Sequence, residues 1–231
     1  MSLGEKFEVI ADSVYEKGKD DQLDYFWETF QEKGARQEWA GAFKNSWWND
    51  NTFRPKYLIA PTNADSIFSN SAITNGELLR GKLDLSKNTN GYSNFYAAKF
   101  KTLPPLDFSS CTKIANGFGN NFSLTKIEKL ILNDEGTTTF SGPVFHCPSL
   151  SYIRFEGVIG NTVTMSACPL SKDSIKSVLE HLSKTSSGQT LTLSKHRVNL
   201  EFGINVDNET TYTDEWLSLI NSVPNWTLSF V

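Results

Sequence analysis

Cysteine, histidine and methionine are scarce, at three, three and two among 231 residues. Cys111, Cys147 and Cys168 form no CxxC word and have no metal-ligand spacing, so no metal centre is expected. No apolar run approaches the roughly 18 residues of a membrane-spanning helix, so membrane insertion is not expected. Clustered lysine or arginine is also missing, and the formal net charge is −4. That excludes a nucleic-acid or anionic-membrane partner held by a basic patch. Residues 1–10 carry Glu5, Lys6 and Glu8 where a secretory signal needs an uninterrupted apolar stretch, so classical secretion is not expected.

Catalytic words are absent as well. There is no HExxH, GxSxG or Walker A sequence. Gly117-Phe118-Gly119-Asn120-Asn121 lacks the third glycine and the helical continuation of a dinucleotide loop and reads as a turn. His146 and Cys147 are consecutive on an extended segment, which sends them to opposite faces and forbids a thiolate–imidazole pair. The acidic pairs Asp20-Asp21 and Asp214-Glu215 fall at helix starts, where the dipole favours carboxylates anyway. His181, beside Leu182, reads as a structural histidine. The expectation is a protein that is not an enzyme and needs no cofactor.

What the chain does contain is repetition. Leu83-Asp84-Leu85-Ser86, Leu106-Asp107-Phe108-Ser109, Leu130-Ile131-Leu132-Asn133 and Ile153-Arg154-Phe155-Glu156 recur at intervals of 23, 24 and 23 residues. A fixed period of this size marks stacked supersecondary units, none of which can bury its apolar face alone. Tyr57-Leu58-Ile59-Ala60 reads as an earlier, irregular member. A second register runs through Phe100, Phe122, Phe145 and Cys168 at intervals of 22, 23 and 23. Strand alternation sends Leu83, Leu85, Leu106, Phe108, Leu130, Leu132, Ile153 and Phe155 inward. The cysteines read either as small buried hydrophobes of the stack or as a disulfide between successive rungs.

Before the repeats, Phe7, Ile10 and Val14, then Leu23, Phe26, Trp27 and Phe30, take helical spacing. This helical region, residues 5–33, either docks on the open end of the stack or self-associates into a homo-oligomer. Trp39, Phe43, Trp47, Trp48 and Phe53 form either packing between cap and array or a platform on which sugar rings stack. After the repeats, the spacing predicts a strand over 161–166, a helix capped by Ser171, a strand over 190–194, a helix capped by Thr213 and a closing strand with Trp226, Leu228 and Phe230.

The strand words and Phe145-His146-Cys147-Pro148-Ser149-Leu150 resemble a BspA-type bacterial leucine-rich repeat protein, a class with repeats of roughly 23 residues. Cys168-Pro169-Leu170-Ser171, the 187–193 stretch and the ending from Asp214 to Thr227 are similar to repeat proteins of gut Firmicutes and their prophages. The resemblance implies surface adhesion, host interaction or a phage structural role, with no catalytic residues to carry over. Together with the residues 1–10, it favours a cytoplasmic or virion location. The expected fold is an α/β repeat: a leucine-rich-repeat-like solenoid with short parallel strands. Residues 1–54 are expected to be an N-terminal helical cap, 55–170 the array and 171–231 a helix–strand cap. A protein or glycan ligand is expected on the outer strand face, at Asp84, Asp107, Lys129, Ile131, Tyr152 and Arg154. The alternative is a phage-associated structural subunit assembled through residues 5–33.

Overall fold

The computed structural model describes residues 38–231 together with Asp24, Trp27 and Glu28. Every strand pair in it is parallel. β1 (Thr102–Leu103), β2 (Leu106–Asp107) and β6 (Tyr152–Glu156) all pair with β4 (Lys126–Ile131). β3 (Lys113–Ala115) pairs with β5 (Thr139–Ser141), and β8 (Gln189–Leu193) lies between β7 (Val163–Thr164) and β9 (Trp226–Phe230). Parallel bridges Glu38↔Asn63, Ile59↔Leu83, Asn90↔Lys113 and Ile159↔Leu182 extend the ladders. The chain therefore returns on itself turn after turn, as a parallel-stranded β-solenoid with a helix-and-strand region at its C-terminal end.

The repeated strand words lie where alternation puts them. Leu85, Leu106, Phe108, Leu130, Leu132, Ile153 and Phe155 are buried, and Leu83 is half-buried. Leu106 opposes Leu130 as the period requires. The next step differs: Ile153 opposes Ile127, and Phe155 opposes Leu130. A bulge at Glu128-Lys129 causes the shift. One extra residue turns two consecutive side chains outward while Ile127 and Leu130 both stay in the core.

The aromatic register is corrected. Phe122 is 62% exposed, so it is no rung of the core. The internal stack is Phe43, Phe68, Phe95, Phe118 and Phe145, with successive ring centroids 5.3, 5.5, 5.5 and 5.8 Å apart and interplanar angles of 23°, 11°, 4° and 12°. Phe100 is buried beside this stack, edge-on to Phe68 and Phe95.

An unusual backbone carries these rings. Gly41, Ser66, Ser93, Asn116 and Gly142 have positive φ, as do Asn45, Asn70, Ala97 and Asn120, so each of the first four phenylalanines sits midway between two left-handed residues. Left-handed geometry disfavours a Cβ, and here it falls mainly on glycine, asparagine and serine. Its reward is a ladder. The amides of Phe43, Phe68, Phe95 and Phe118 donate to Ile67, Asn94, Gly117 and Val144 carbonyls of the following turn at 2.8–3.0 Å. Most of the intervening amides bond within their own turn, as Ile67 does to Ala64 and Ser69 to Ser66.

Carbonyls that this ladder leaves over are met by side chains. Ser71 Oγ donates to Trp48 O (3.1 Å), Asn121 Nδ2 to Phe95 O (2.7 Å), Cys147 Sγ to Phe118 O (3.0 Å) and Cys168 Sγ to Phe145 O (2.8 Å). In a second column Cys111 Sγ donates to Asn88 O (2.8 Å), while Asn88 Oδ1 accepts the Ala64 amide (3.1 Å). All three cysteines are free and buried, as the first of the two readings expected, and no disulfide joins the rungs. Burial pushes the Cys111 thiol up to about 12, and the adjoining Cys168 thiol and burial push Cys147 up as well. These are small packing groups with a weak donor, not nucleophiles.

At the C-terminal end α1 (Lys172–Glu180) starts at Ser171, whose hydroxyl accepts from the Ser174 amide. It lies where the next strand of the β4–β6 sheet would be. Ser174 and Ser177 accept the amides of Ile153 and Phe155, both at 2.9 Å, so two hydroxyls one helical turn apart cover the edge of β6. β8 follows and continues the stack on β7. The sequence reading missed α2 (Lys195–Phe202), which is capped by Ser194, closed by left-handed Gly203, and buries only Val198 and Phe202. α3 (Asp214–Asn221) is capped by Thr213 as expected, and Glu215 ties it to Lys172 and Lys176 of α1 at 2.8 and 2.9 Å.

The expected N-terminal helical cap over residues 5–33 lies outside the described residues, apart from three helical positions. Trp27 is buried against Phe43 and donates from Nε1 to Thr52 O at 2.9 Å. Asp24 and Glu28 pair with Arg54 (3.9 Å) and Lys56 (3.4 Å). Trp39, Phe43, Trp48 and Phe53 are buried ring against ring, and half-buried Trp47 stands edge-on to Trp48, so of the two readings of this cluster the structure shows the packing one.

Candidate functional site

The outward residues of β1, β2, β4 and β6 form one continuous surface, because parallel pairing sets Thr102, Lys126 and Tyr152 in one row and Asp107, Ile131 and Glu156 in another. Three groups of side chains share it. Arg80 bonds both Glu77 and Glu128, which holds the Glu77 carboxyl below its ordinary value and raises the guanidinium further. Lys129 Nζ meets Glu156 Oε2 at 2.6 Å. Tyr152 has Lys126 Nζ 5.3 Å and the Arg154 guanidinium 5.6 Å from its ring centroid.

The six residues picked from the sequence therefore have different situations. Asp84 and Asp107 close turns: each carboxylate accepts the amide two residues on, from Ser86 and Ser109, at 2.9 Å. Lys129 is neutralised by Glu156, and half-buried Ile131 lines a groove. Tyr152 and Arg154 come together with Lys126, a residue that sequence reasoning passed over. Among the described residues neither Lys126 nor Arg154 forms an ion pair, although the Lys126 charge also helps to lower the Glu77 carboxyl. A phenol between two such cations is a place for an anionic or hydroxyl-rich group, since the ring offers a stacking face and the cations offer charge.

At the opposite ends of these strands from Lys126 and Tyr152, an open groove of about 500 Å³ runs along β2, β4 and β6, lined by Ser109, Ser110, Thr112, Ile131, Asp134 and Glu135 among others. A smaller hollow of about 270 Å³ adjoins it at Asp134, Glu135 and Gly157 and reaches His181 and Lys184. The groove is polar and acidic where the Tyr152 cluster is basic. Sequence reasoning missed it because the loop from Asp134 to Thr137 falls between the strand words; the Asn133-Asp134-Glu135-Gly136 turn was the available signal.

The titratable groups usable in catalysis are dispersed. His146 Nδ1 meets Asn120 Oδ1 at 2.9 Å on the surface, whereas Cys147 is buried, on the opposite side of its segment. His181 Nδ1 is bonded to Ser177 O at 2.7 Å, and among the described residues no three His, Cys, Asp or Glu side chains converge to hold a metal. Asp65 has its carboxyl raised by burial and by Glu38, but it is not among the residues that line the groove.

The class that this geometry defines is a β-solenoid repeat protein with an ordered, mixed-charge sheet face. No family model, no curated protein and no solved structure matches the chain.

Proposed function

We propose that the protein is a non-enzymatic recognition module, a leucine-rich-repeat-like solenoid of the BspA type, that binds a protein or glycan through its outer sheet face. The observation that carries this reading is Tyr152, with Lys126 and Arg154 both over its ring and, among the described residues, neither cation in an ion pair. An exposed cation–π contact adds only about 0.5–1 kcal/mol to the fold, so the two cations beside this ring are available to a ligand at little cost in stability. The ligand suited to it carries negative charge, as an acidic sugar or an acidic peptide segment does.

Glycan and acidic-peptide arrays probed with the full chain test the reading. Tyr152→Ala and Arg154→Ala each reduce binding about tenfold or more, the loss of roughly 1.4 kcal/mol expected for one good contact. The melting temperature stays unchanged, because both side chains point out of the core. Binding that survives both substitutions overturns the reading.

A further inference from the structure

Phe122 is the most exposed aromatic side chain among the described residues, at 62%. Its exposure is imposed by a pinned backbone. Left-handed Asn120 stands two residues before it (φ 59°), and buried Asn121 donates from Nδ2 to Phe95 O (2.7 Å) and Phe118 O (2.8 Å). Leu124 is buried two residues on, and the Phe122 carbonyl accepts from Ser149 Oγ at 2.6 Å. With Asn121 and Leu124 committed to the core, the ring between them is left in solvent.

Polar side chains from three successive turns stand beside this ring. Asn120 Nδ2 donates to Tyr96 Oη (2.6 Å), and Asn120 Oδ1 lies 2.9 Å from His146 Nδ1. The exposed His146 ring is edge-on to Phe122, with centroids 6.2 Å apart. Asn120 Oδ1 can only accept, so the proton of the neutral imidazole is on Nδ1 and Nε2 keeps its lone pair. Tyr96 accepts from Asn120 and so keeps its own O–H to donate, and the Asn120 amide keeps its second hydrogen. Among the described residues no protein group takes these two donors or this acceptor.

The combination selects a ligand. A flat aromatic face is negative and attracts a group that turns positive C–H hydrogens toward it. Two donors and one acceptor at its side suit hydroxyls, which both accept and donate. An apolar peptide would cover the three polar groups without replacing the water they lose, and an anion would meet the Nε2 lone pair. We infer that Phe122, His146, Asn120 and Tyr96 form a binding site for a neutral pyranose ring of a carbohydrate. The sugar stacks on Phe122 and places its hydroxyls on the three polar side chains. None of the four residues belongs to the Tyr152 cluster, and the inference does not rest on that cluster.

Saturation-transfer NMR and calorimetry on the full chain test the site. The probes are neutral cello-, malto-, manno- and N-acetylchito-oligosaccharides, with an apolar peptide as control. At least one of the oligosaccharides binds. Phe122→Ala lowers its affinity about tenfold or more, whereas Phe122→Trp keeps a stacking face and retains binding. His146→Ala weakens binding, and Tyr152→Ala leaves it unchanged. The melting temperature of Phe122→Ala matches that of the wild type, since the ring is in solvent, so its loss of binding is not misfolding. Four results overturn the inference: no oligosaccharide bound, equal binding by wild type and Phe122→Ala, an equal loss in Tyr152→Ala, or binding of the peptide alone.

Discussion

Replacing Phe118 by alanine tests the internal stack where it is densest. Phe118 is buried and lies 5.5 Å from Phe95 at 4° and 5.8 Å from Phe145 at 12°, with Phe108 edge-on at 6.2 Å. Truncating a buried phenylalanine costs about 3–5 kcal/mol, since neighbouring turns cannot close the cavity while their backbone ladder holds them apart. Each lost ring pair is worth about 0.5–1.5 kcal/mol beyond area, which puts Phe118→Ala at the upper end of that range. Domains have only about 5–15 kcal/mol in total, so the variant loses a large part of its stability. A turn in a solenoid touches only its neighbours, so a break in the middle also uncouples the two halves and broadens the transition. Phe122→Ala is the control, because its ring is in solvent and its removal stays within about 0.5 kcal/mol. Urea denaturation followed by far-UV circular dichroism reads both. Equal losses from the two variants refute the assignment of the stack.

Three further expectations follow from single contacts. Ser174→Ala and Ser177→Ala each strip the acceptor from a buried amide of β6 and cost about 1–3 kcal/mol in urea denaturation. Gly119→Ala places a Cβ 2.3 Å from the Pro143 carbonyl oxygen and destabilises by about 1–3 kcal/mol, whereas Gly81→Ala meets no atom within 4 Å and costs only its left-handed strain of about 1–2 kcal/mol. Burial by itself raises the Asp50 carboxyl, but the Thr74 hydroxyl (2.6 Å) and the Thr74 and Asn75 amides (2.8 and 3.0 Å) outweigh it and lower the value. The folded value is below the unfolded one, so this stabilisation is present above an ordinary carboxylate pKa of about 3.9 and is lost as pH falls through the folded value. In urea melts from neutral pH downward, the gap between wild type and Asp50→Asn narrows below about pH 4 and closes at the acid end.

Much of the core was legible because strand burial leaves a mark of period two. Leu106, Phe108, Leu130 and Leu132 could be placed facing inward from alternation alone. The caps of α1 and α3 were legible because Ser171 and Thr213 announce them chemically. The phenylalanine stack was not legible. Its members stand 25, 27, 23 and 27 residues apart, since loops between turns absorb insertions freely, and its left-handed backbone has neither a strand nor a helix period. Phe122 falls near a regular spacing by coincidence and points to solvent. The β4 bulge was equally hidden, because Glu128-Lys129 reads as one more polar pair. α2 was missed because Val198 and Phe202 alone make a stripe too thin to recognise. At the candidate site, the row of outward residues was readable from strand parity. Which charges neutralise one another was not, because Arg80 and Glu128, like Lys129 and Glu156, meet across turns that sequence distance does not order.

From Glu38 onward the turns form one parallel stack whose phenylalanine-bearing segments are hydrogen-bonded from turn to turn. Residue-resolved amide hydrogen exchange tests it most directly. The account predicts that the amides of Phe68, Phe95 and Phe118 exchange as slowly as those of β4, while those of the exposed Asp134-Glu135 turn exchange fast. Exchange at the phenylalanine positions as fast as in that turn would contradict the stack.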